Sequence, residues 1–260
     1  MSTYELGDLD VDNSISVRVN YTDGVRNLEI LTSSETATIS NINDVPTATN
    51  LNQTVPYIEG DSSVELGNIV ITDVDTTETL SATLTIANTA VGSLTTGTFG
   101  STTSSYDSNT GVWSVTGSLS DVNAALASVA FVPTTNNDIN TSITTHIEDA
   151  SGTGPSDGLI SLNVSAENDV PSATNLTQVQ SYTEGASSVA LDDIVISDVD
   201  TGETITTTLT LENTATGGLT TGTFGATSSS YNSGTGVWSV TGSVSDVNAR
   251  FSFRCVCANH

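Results

Sequence analysis

Lysine is absent from the chain, and four arginines are its only strongly basic residues, against 30 aspartates and glutamates. The formal net charge of −26 gives a surface that repels nucleic acid and anionic lipid, so neither is expected as a partner. Repulsion between so many like charges also destabilises a compact state unless cations neutralise part of it. Because the acidic residues are spaced around turns rather than gathered in a tail, divalent cations are the expected counter-charge.

Long apolar runs and a leader pattern are missing too. No stretch approaches about 18 consecutive apolar residues, and no basic segment followed by an apolar one opens the chain, so neither a membrane span nor a signal peptide is predicted. Hydrophobic residues make up 36% of the chain and aromatic residues 5%, a modest supply for a core. The apolar residues nevertheless alternate with polar ones, which favours half-buried β-strands over disorder.

Cysteine is confined to Cys255 and Cys257, in a C-terminal segment where an internal repeat is abruptly lost. One choice of codons for residues 250–260, read with a shift of one base, gives Ala-Leu-Ala-Ser-Val-Ala-Phe-Ala-Pro-Thr, which differs from residues 125–134 only at Val132. We interpret residues 250–260 as a frameshifted tail and expect neither a disulfide nor a metal site at these cysteines. The rest of the chain, free of cysteine, is compatible with a secreted protein that needs no disulfides.

Motifs for catalysis are sparse. His146 is the only histidine before the tail, and we expect it to be solvated or packed on a strand. The Gly-x-Ser-x-Gly elbow, the His-Glu-x-x-His pair and a phosphate-binding glycine loop do not occur. Asp73 and Asp75 could serve as a glycosidase pair only if one carboxyl had a raised pKa in an apolar cleft, whereas they lie in a turn crowded with acids. The sequence therefore predicts that the chain is not an enzyme.

Aromatic residues bear on a carbohydrate-binding alternative. Trp113 and Trp238 share a strand face with Val115 and Val240, which predicts a buried core rather than a platform for sugar rings. Four tyrosines beside predicted turns are the better candidates for exposed aromatic contacts: Tyr57, Tyr106, Tyr182 and Tyr231.

One internal repeat organises the chain. Residues 43–124 and 168–249 align without a gap, 125 positions apart, with 58 identities in 82 positions. This period exceeds that of common solenoid and propeller units, so each copy is predicted to be a domain. The predicted divisions are 1–42, the C-terminal part of a preceding repeat; 43–167, a complete repeat; 168–249, a truncated repeat; and 250–260, the tail.

Each copy is predicted to be all-β, with one short helix. Runs of alternating or β-branched residues lie between Gly, Asn and Asp turns at the spacing of a β-sandwich, most clearly at 69–71, 81–86, 112–115, 142–147 and 159–164. Ser120 is predicted to cap a helix over 121–127. Asp121 and its counterpart Asp246 are interpreted as parts of the two caps, and the frameshift is expected to cut the second helix after Ala249.

Acidic and amide residues recur in the same order in both copies. Hard cations such as Ca²⁺ need six to eight oxygen ligands at about 2.3–2.6 Å, which clustered carboxylates, Asn side chains and backbone carbonyls supply. We therefore predict Ca²⁺ ligation, with turn and cap roles as the alternative. The candidate ligands are Asn43, Asp44, Glu59, Asp73, Asp75 and Glu78 in the first copy, and Asn168, Asp169, Glu184, Asp198, Asp200 and Glu203 in the second.

The order of these motifs, an Asn-Asp-x-Pro linker, then Glu-Gly, then Asp-x-Asp, resembles that of cadherin repeats. With Thr-Gly-Ser-Leu-Ser-Asp-Val-Asn-Ala-Ala-Leu and residues 146–149 added, the pattern is similar to the cadherin-like (VCBS-type) tandem repeats of large bacterial RTX-type adhesins. The resemblance covers residues 1–249 and implies tandem cadherin/Ig-like β-sandwich domains that hold Ca²⁺ at their junctions. It also implies that Glu59 meets Asp198 and Asp200 at the second linker.

The function implied by this resemblance is that of a Ca²⁺-rigidified stalk in a secreted, cell-surface bacterial adhesin. Its expected partners are Ca²⁺ and, for the parent protein, a cell-surface glycan or protein ligand. Head-to-tail self-association is a further expectation, because residues 1–42 would supply strands that residues 168–249 lack. Two alternatives are a carbohydrate-binding module and a small glycosidase-type hydrolase recovered as a genomic fragment.

Overall fold

The computed structural model describes residues 3–22, 24, 26, 28–200, 202–251 and 255–258. The chain divides into two compact units, Met1–Ala166 and Glu167–His260, which we name unit 1 and unit 2. Both consist mainly of β-strands and each carries one short α-helix, so the all-β class predicted from the sequence is confirmed. None of the described helices is long and apolar enough to cross a membrane.

Unit 1 opens with a segment that is separate from its main sheets. A 3₁₀ helix, Asp8–Asp10, precedes an antiparallel hairpin of β1 (Arg18–Thr22) and β2 (Leu28–Thr32). A single parallel bridge joins Val11 to Ile39. All residues of both hairpin strands are exposed, so this hairpin covers no core in unit 1.

The remainder of unit 1 is a β-sandwich with one helix. The larger sheet has the strand order β11-β12-β7-β14-β15-β4 and is antiparallel except between β15 and β4, while β5-β13-β8 form a second sheet and β3-β6 and β9-β10 form two-stranded ones. The elements are β3 (Thr47–Thr49), β4 (Gln53–Ile58), β5 (Val64–Glu65), β6 (Val70–Thr72), β7 (Leu80–Ile86), β8 (Gly92–Leu94), β9 (Thr98–Phe99), β10 (Thr102–Thr103), β11 (Ser105–Asp107), β12 (Val112–Gly117), α1 (Leu119–Leu126), β13 (Ala130–Pro133), β14 (Thr141–Glu148) and β15 (Gly158–Ser165).

The core of unit 1 arises from the alternation of apolar residues along its central strands. Every second residue of β7, from Leu80 to Ile86, is apolar and buried, as a period of two requires. Trp113 is fully buried in the same cluster, which confirms its predicted core position. Its indole Nε1 donates to the carbonyl of Thr95 over 2.9 Å, so the one polar group of the ring is satisfied.

The cap of helix α1 differs from the prediction. Ser120 is not the N-cap; the hydroxyl of Ser118 accepts a hydrogen bond from the backbone N–H of Asp121 over 3.2 Å, and the helix starts one residue later at Leu119. The Asp121 carboxylate is not part of the cap either, because it accepts from the N–H and hydroxyl of Ser101 over 3.3 and 3.1 Å. Both Ser118 and Ser120 suit an N-cap by residue type. Ser118 takes that position because its hydroxyl bonds to the N–H of Asp121, three residues later.

Unit 2 repeats most of these elements over a shorter length, without a described counterpart of β4, β14 or β15. Its strands form the sheets β19-β24-β23 and β17-β25-β20 and the pairs β16-β18 and β21-β22. The elements are β16 (Ser172–Ala173), β17 (Ser188–Ala190), β18 (Ile196–Ser197), β19 (Ile205–Thr210), a 3₁₀ helix (Thr214–Thr216), β20 (Gly217–Leu219), β21 (Thr223–Phe224), β22 (Thr227–Ser228), β23 (Ser230–Asn232), β24 (Val237–Gly242), α2 (Val244–Phe251) and β25 (Cys255–Ala258).

The residues interpreted as out of frame extend this pattern rather than ending it. Helix α2 runs two residues beyond Ala249, so the expectation that the frameshift cuts it there is wrong. Strand β25 pairs with β17 and β20 in the register in which β13 pairs with β5 and β8. Arginine is a good helix former, and backbone ladders need no particular side chain, so local structure survives the change of sequence. The Asp246 N–H bonds to the hydroxyl of Ser243 over 3.1 Å, which corrects the second cap as well.

Candidate metal centre

Strand pairing brings five of the six predicted ligands of the first copy, all but Glu59, to one end of unit 1. Asp44 precedes β3, whereas Asp73 and Asp75 follow β6, and these antiparallel strands place Thr47 opposite Thr72. Glu78 lies just before β7. One carboxylate oxygen from each of Asp73, Asp75 and Glu78 lies within 4.8 Å of the other two.

Backbone and amide hydrogen bonds fix these carboxylates. The N–H of Asp75 donates to Asp73 Oδ1 over 2.9 Å, which turns the Asp-Val-Asp segment back on itself. The two oxygens of Asp75 accept from the N–H of Asp44 over 2.7 Å and from Asn41 Nδ2 over 2.8 Å. Hydrogen bonds therefore join the linker before β3 to the turn after β6, and the acidic residues of both segments lie at the same end of unit 1.

A fifth carboxylate, Asp149, was not among the predicted ligands. It follows β14, whose last residue Glu148 pairs with Ser81 at the start of β7, and it is 4% exposed. It belongs to the same electrostatic environment as Glu78, whose pKa it helps to raise. The sequence held one signal, because Asp149 closes the segment that carries the adhesin resemblance. We name Asp44, Asp73, Asp75, Glu78 and Asp149 the acidic cluster.

Asp149 is kept ionised by its hydrogen bonds. Burial pushes its pKa upward, but donors from Thr153, Asn43 and Ser151 outweigh burial and hold the pKa at about 2, below the usual 3.8. The N–H groups of Ser151 and Thr153 donate over 2.8 and 2.9 Å, and Asn43 Nδ2 donates over 2.9 Å. Asn43 thus contacts a carboxylate with its amide nitrogen, and its Oδ1 accepts from the Ser151 hydroxyl over 2.7 Å.

Two other members of the cluster have raised pKa values. Burial, followed by repulsion from Asp73, Asp149 and Asp75, raises the pKa of Glu78. The pKa of Asp44 is raised first by burial and then by Asp8, Asp75 and Asp73.

The donor set suits a hard divalent cation. Asp73 Oδ2 and Glu78 Oε1 are buried atoms that have no hydrogen-bond partner within the described chain. A buried oxygen without a donor costs about 1–3 kcal/mol, and more when it is charged. A hard cation removes that cost because it binds carboxylate oxygens directly, and the grouped carboxylates of Asp73, Asp75 and Glu78 can supply part of a six- to eight-oxygen shell.

Glu59 lies elsewhere. It follows β4, and its N–H donates to the carbonyl of Ser165 over 3.0 Å at the far end of β15. Strand β14 spans eight residues between that end and Asp149, a length of about 23 Å, so Glu59 does not join the acidic cluster.

The second copy reproduces the local bonds but not the whole cluster. The N–H of Asp169 donates to Asp200 Oδ2 over 2.7 Å, and the N–H of Asp200 donates to Asp198 Oδ1 over 3.2 Å. Asn168 Nδ2 bonds to the carbonyl of Asp169. Among the described residues only the first copy gathers three acidic side chains closely enough to form a metal-binding group, and Glu184 and Glu203 belong to no such group. The position equivalent to Asp149 lies beyond residue 260.

The tyrosine predictions are only partly right. Tyr57 is 5% exposed, contacts Phe131 edge-on at 5.7 Å and accepts from Asn137 Nδ2 over 2.7 Å, so it is a core residue. Its ring is buried because it packs against Phe131 of β13, in the other sheet, a contact that the turn-like flanking sequence did not reveal. Tyr106 and Tyr231 are half-buried, and Tyr182 is exposed as predicted.

Comparisons with known proteins identify no family by sequence: no family model and no curated protein matches the chain. Solved structures are similar. Protocadherin gamma B7 extracellular cadherin domains 1–4 match at 12% identity over 90% of this chain and 49% of that chain, with a TM-score of 0.37. Protocadherin gamma C5 EC1–3 matches at 16% identity over 88% of this chain and 66% of that one, with a TM-score of 0.35. A type II cohesin dyad from the adaptor ScaA scaffoldin of Acetivibrio cellulolyticus matches at 8% identity over 79% and 83%, with a TM-score of 0.23. The chain spans about half the length of the first of these structures.

Proposed function

We propose that the chain is a Ca²⁺-binding structural piece of an extracellular stalk, of the kind that spaces the binding tip of a secreted bacterial adhesin from the cell surface. The observation that carries this proposal is the acidic cluster, in which two buried carboxylate oxygens have no hydrogen-bond partner among the described residues. The remaining sequence pattern, repeated domains with no catalytic motif, suits a mechanical role.

Ca²⁺ is favoured over other metals by the chemistry of the donors. The cluster offers carboxylate oxygens only, with no nitrogen or sulfur ligand, which excludes a preference for zinc or copper. Mg²⁺ demands near-ideal octahedral geometry and keeps several waters, whereas Ca²⁺ accepts the irregular, many-oxygen shell that two turns and a strand end provide. Ca²⁺ bound there would tie the linker before β3 to the turn after β6 and to the end of β14, and would stiffen that end of the sandwich.

Thermal unfolding tests the proposal directly. A ligand held at a hundredfold excess over its Kd adds about 2.7 kcal/mol to the stability of the native state, which corresponds to a rise in Tm of roughly 5–10 °C for a domain of this size. We expect that rise for Ca²⁺ against EDTA, followed by the fluorescence of the buried Trp113 and Trp238. A smaller rise is expected for Mg²⁺ at equal concentration. Coincident melting curves in Ca²⁺ and EDTA would refute Ca²⁺ binding.

A further inference from the structure

Unit 2 has an open core at a place where unit 1 has a closed one. A cleft of about 250 Å³ lies among Tyr182, Val189, Leu191 and Leu211. Tyr182 is 68% exposed, whereas its counterpart in unit 1, Tyr57, is 5% exposed. The same side chains therefore form a filled core in one copy and the walls of a cleft in the other.

The hairpin of β14 and β15 closes the core in unit 1. Its residues Ile143, Ile160 and Leu162 are fully buried in the same cluster as Tyr57. Strand β14 also pairs along the edge of β7, from Ile143 opposite Ile86 to Glu148 opposite Ser81. In unit 2, β19 stands in the place of β7 and pairs with β24 on one edge; no described strand pairs with its other edge. Unit 2 thus presents an unpaired ladder beside an apolar cleft.

The β1–β2 hairpin has the complementary features. Val19 is paired with Leu31, and both side chains are exposed, by 50% and 67%. Val17 and Tyr21 share that face because strand residues two apart point the same way, and they are 61% and 51% exposed. A two-stranded hairpin without a packed face is marginally stable alone.

The sequence and the charge of the β1–β2 hairpin also suit docking on unit 2. Residues 14–19 resemble residues 142–147 of β14, which aligns Val19 with Ile147. Arg18 and Arg26 are the only arginines before Arg250, and with Asp23 and Glu29 they leave residues 18–32 without net charge. Residues 167–249 hold ten acidic residues and no basic one, so a hairpin without net charge can approach unit 2 without the repulsion that most of this acidic chain would meet.

We propose that the β1–β2 hairpin of one chain docks on unit 2 of a second copy, with β1 paired antiparallel to the open edge of β19 and the apolar face of the hairpin in the cleft. The contact is β-augmentation with side chains that fill a core. It joins different surfaces of the two chains, so it is head-to-tail and generates open chains or rings.

Light scattering over a concentration series tests this contact in the full chain, in EDTA so that cations do not bridge the acidic molecules. The wild-type average mass should rise with concentration above the 26.7 kDa of one chain. Val19→Asp with Leu31→Asp, on the docking face, should remain monomeric. Asn20→Asp with Thr32→Asp makes the same charge change on the opposite face of the same hairpin and should assemble as the wild type does. Equal loss of assembly in both variants would overturn the proposed docking face.

Mixing two defective chains provides the decisive arm. Tyr182→Asp places a charge at the exposed wall of the cleft and should also give monomers, with unchanged fluorescence of Trp238 as the check that unit 2 is folded. The hairpin variant and the cleft variant, mixed in equal amounts, should form a dimer of twice the chain mass and nothing larger, because each pair retains one intact hairpin and one intact cleft. A wild-type chain that stays monomeric, or a mixture that does, overturns the proposal.

Discussion

Side chains of the acidic cluster repel one another. Amide substitutions in the cluster are therefore expected to raise the melting temperature without calcium and to lower it with calcium. Asp73 and Glu78 each have a buried oxygen without a donor among the described residues, and the pKa of Glu78 is raised by burial and by Asp73, Asp149 and Asp75. We expect the double variant Asp73→Asn, Glu78→Gln to melt above the wild type in EDTA, because repulsion is relieved. In Ca²⁺ it should melt below the wild type, since two ligands are lost and with them most of the stabilisation of about 2.7 kcal/mol.

The matched control is Glu65→Gln. Glu65 is an exposed acid on β5, outside the cluster, and it loses one charge without losing a ligand. Its melting temperature should shift equally in Ca²⁺ and EDTA. If the cluster variant also shifts equally in both conditions, the carboxylates act as turn residues and not as ligands.

His146 makes a pH-dependent contribution to folding stability, and this contribution changes with pH in the opposite direction to that of a carboxylate with a lowered pKa. Its Nδ1 lies 2.7 Å from Asp157 Oδ1, and its Nε2 lies 3.5 Å from Glu148 Oε2. The hydrogen bond that the imidazole donates to Asp157 raises the pKa of His146 above its usual 6.5, against a smaller opposing effect of burial, with further support from Glu148. The ion pairs therefore stabilise the fold below pH about 6.5, and this stabilisation is lost as the pH rises through the folded-state pKa.

The difference in Tm between wild type and His146→Gln, measured across pH, isolates this contribution from other titrations. We expect the wild type to be the more stable below pH about 6, by no more than about 1 kcal/mol because the pair is exposed, and the two proteins to converge above pH about 8. Asp157→Asn should remove most of the same difference. A gap between wild type and His146→Gln that is constant across pH would show that packing, and not charge, is responsible.

At the scale of elements, one amide joins helix α1 to the sheet. Asn123 Oδ1 accepts from the N–H of Ile71 over 2.8 Å, and its Nδ2 donates to the carbonyl of the same residue over 2.9 Å. Asn248 makes the same pair of bonds with Ile196 in unit 2, over 2.8 Å each. The asparagine side chain thus makes the pair of backbone hydrogen bonds to β6 or β18 that a neighbouring strand would otherwise make.

We expect Asn123→Ala to cost about 2–4 kcal/mol, because it leaves two backbone groups of a buried residue without partners. Denaturant unfolding followed by Trp113 measures the loss. Ser120→Ala in the same helix should change stability by less than about 0.5 kcal/mol, since Ser120 is exposed and is not the cap. A similar loss in the two variants would mean that helix propensity, not the amide bridge, sets the cost.

Periodicity predicted the elements well, because strand residues alternate between core and solvent in β7, β12 and β14 and those strands appear within about two residues of the expected bounds. It could not place Tyr57, whose burial depends on contact with the distant Phe131, and it put the helix cap at Ser120 instead of Ser118. The ligand order predicted the Asp73, Asp75 and Glu78 group. It did not include Asp149, because Asp149 reaches the group through the pairing of β14 with β7, and the order of motifs along the chain does not predict that pairing.

At the scale of the whole molecule, the two copies differ in the strands on the C-terminal side of α1 and α2, and in β4, which pairs with β15 in unit 1 and has no described counterpart in unit 2. Unit 1 continues through β13, β14 and β15, whereas the described part of unit 2 continues only to β25. Since the first 82 positions of the copies are so similar, the closure of the core depends on these C-terminal strands. A chimera can supply them to unit 2.

Replacement of residues 250–260 by residues 125–167 of the first copy should convert unit 2 into a closed sandwich. The added segment carries the helix end, the Phe131 strand and the β14–β15 hairpin, whose Ile143, Ile160 and Leu162 contribute about 1.5–3 kcal/mol each on burial. We expect a higher melting temperature for the Trp238 signal. We also expect a chain that stays monomeric at concentrations where the wild type associates, because the cleft and the β19 edge are then filled by strands of the same chain.

The matched control is the same chimera with serine at the three positions copied from Ile143, Ile160 and Leu162, which restores length but not apolar volume. That control should retain the lower melting temperature and the association of the wild type; a chimera with closed, stabilised unit 2 that still associates would show that the chains meet through another surface.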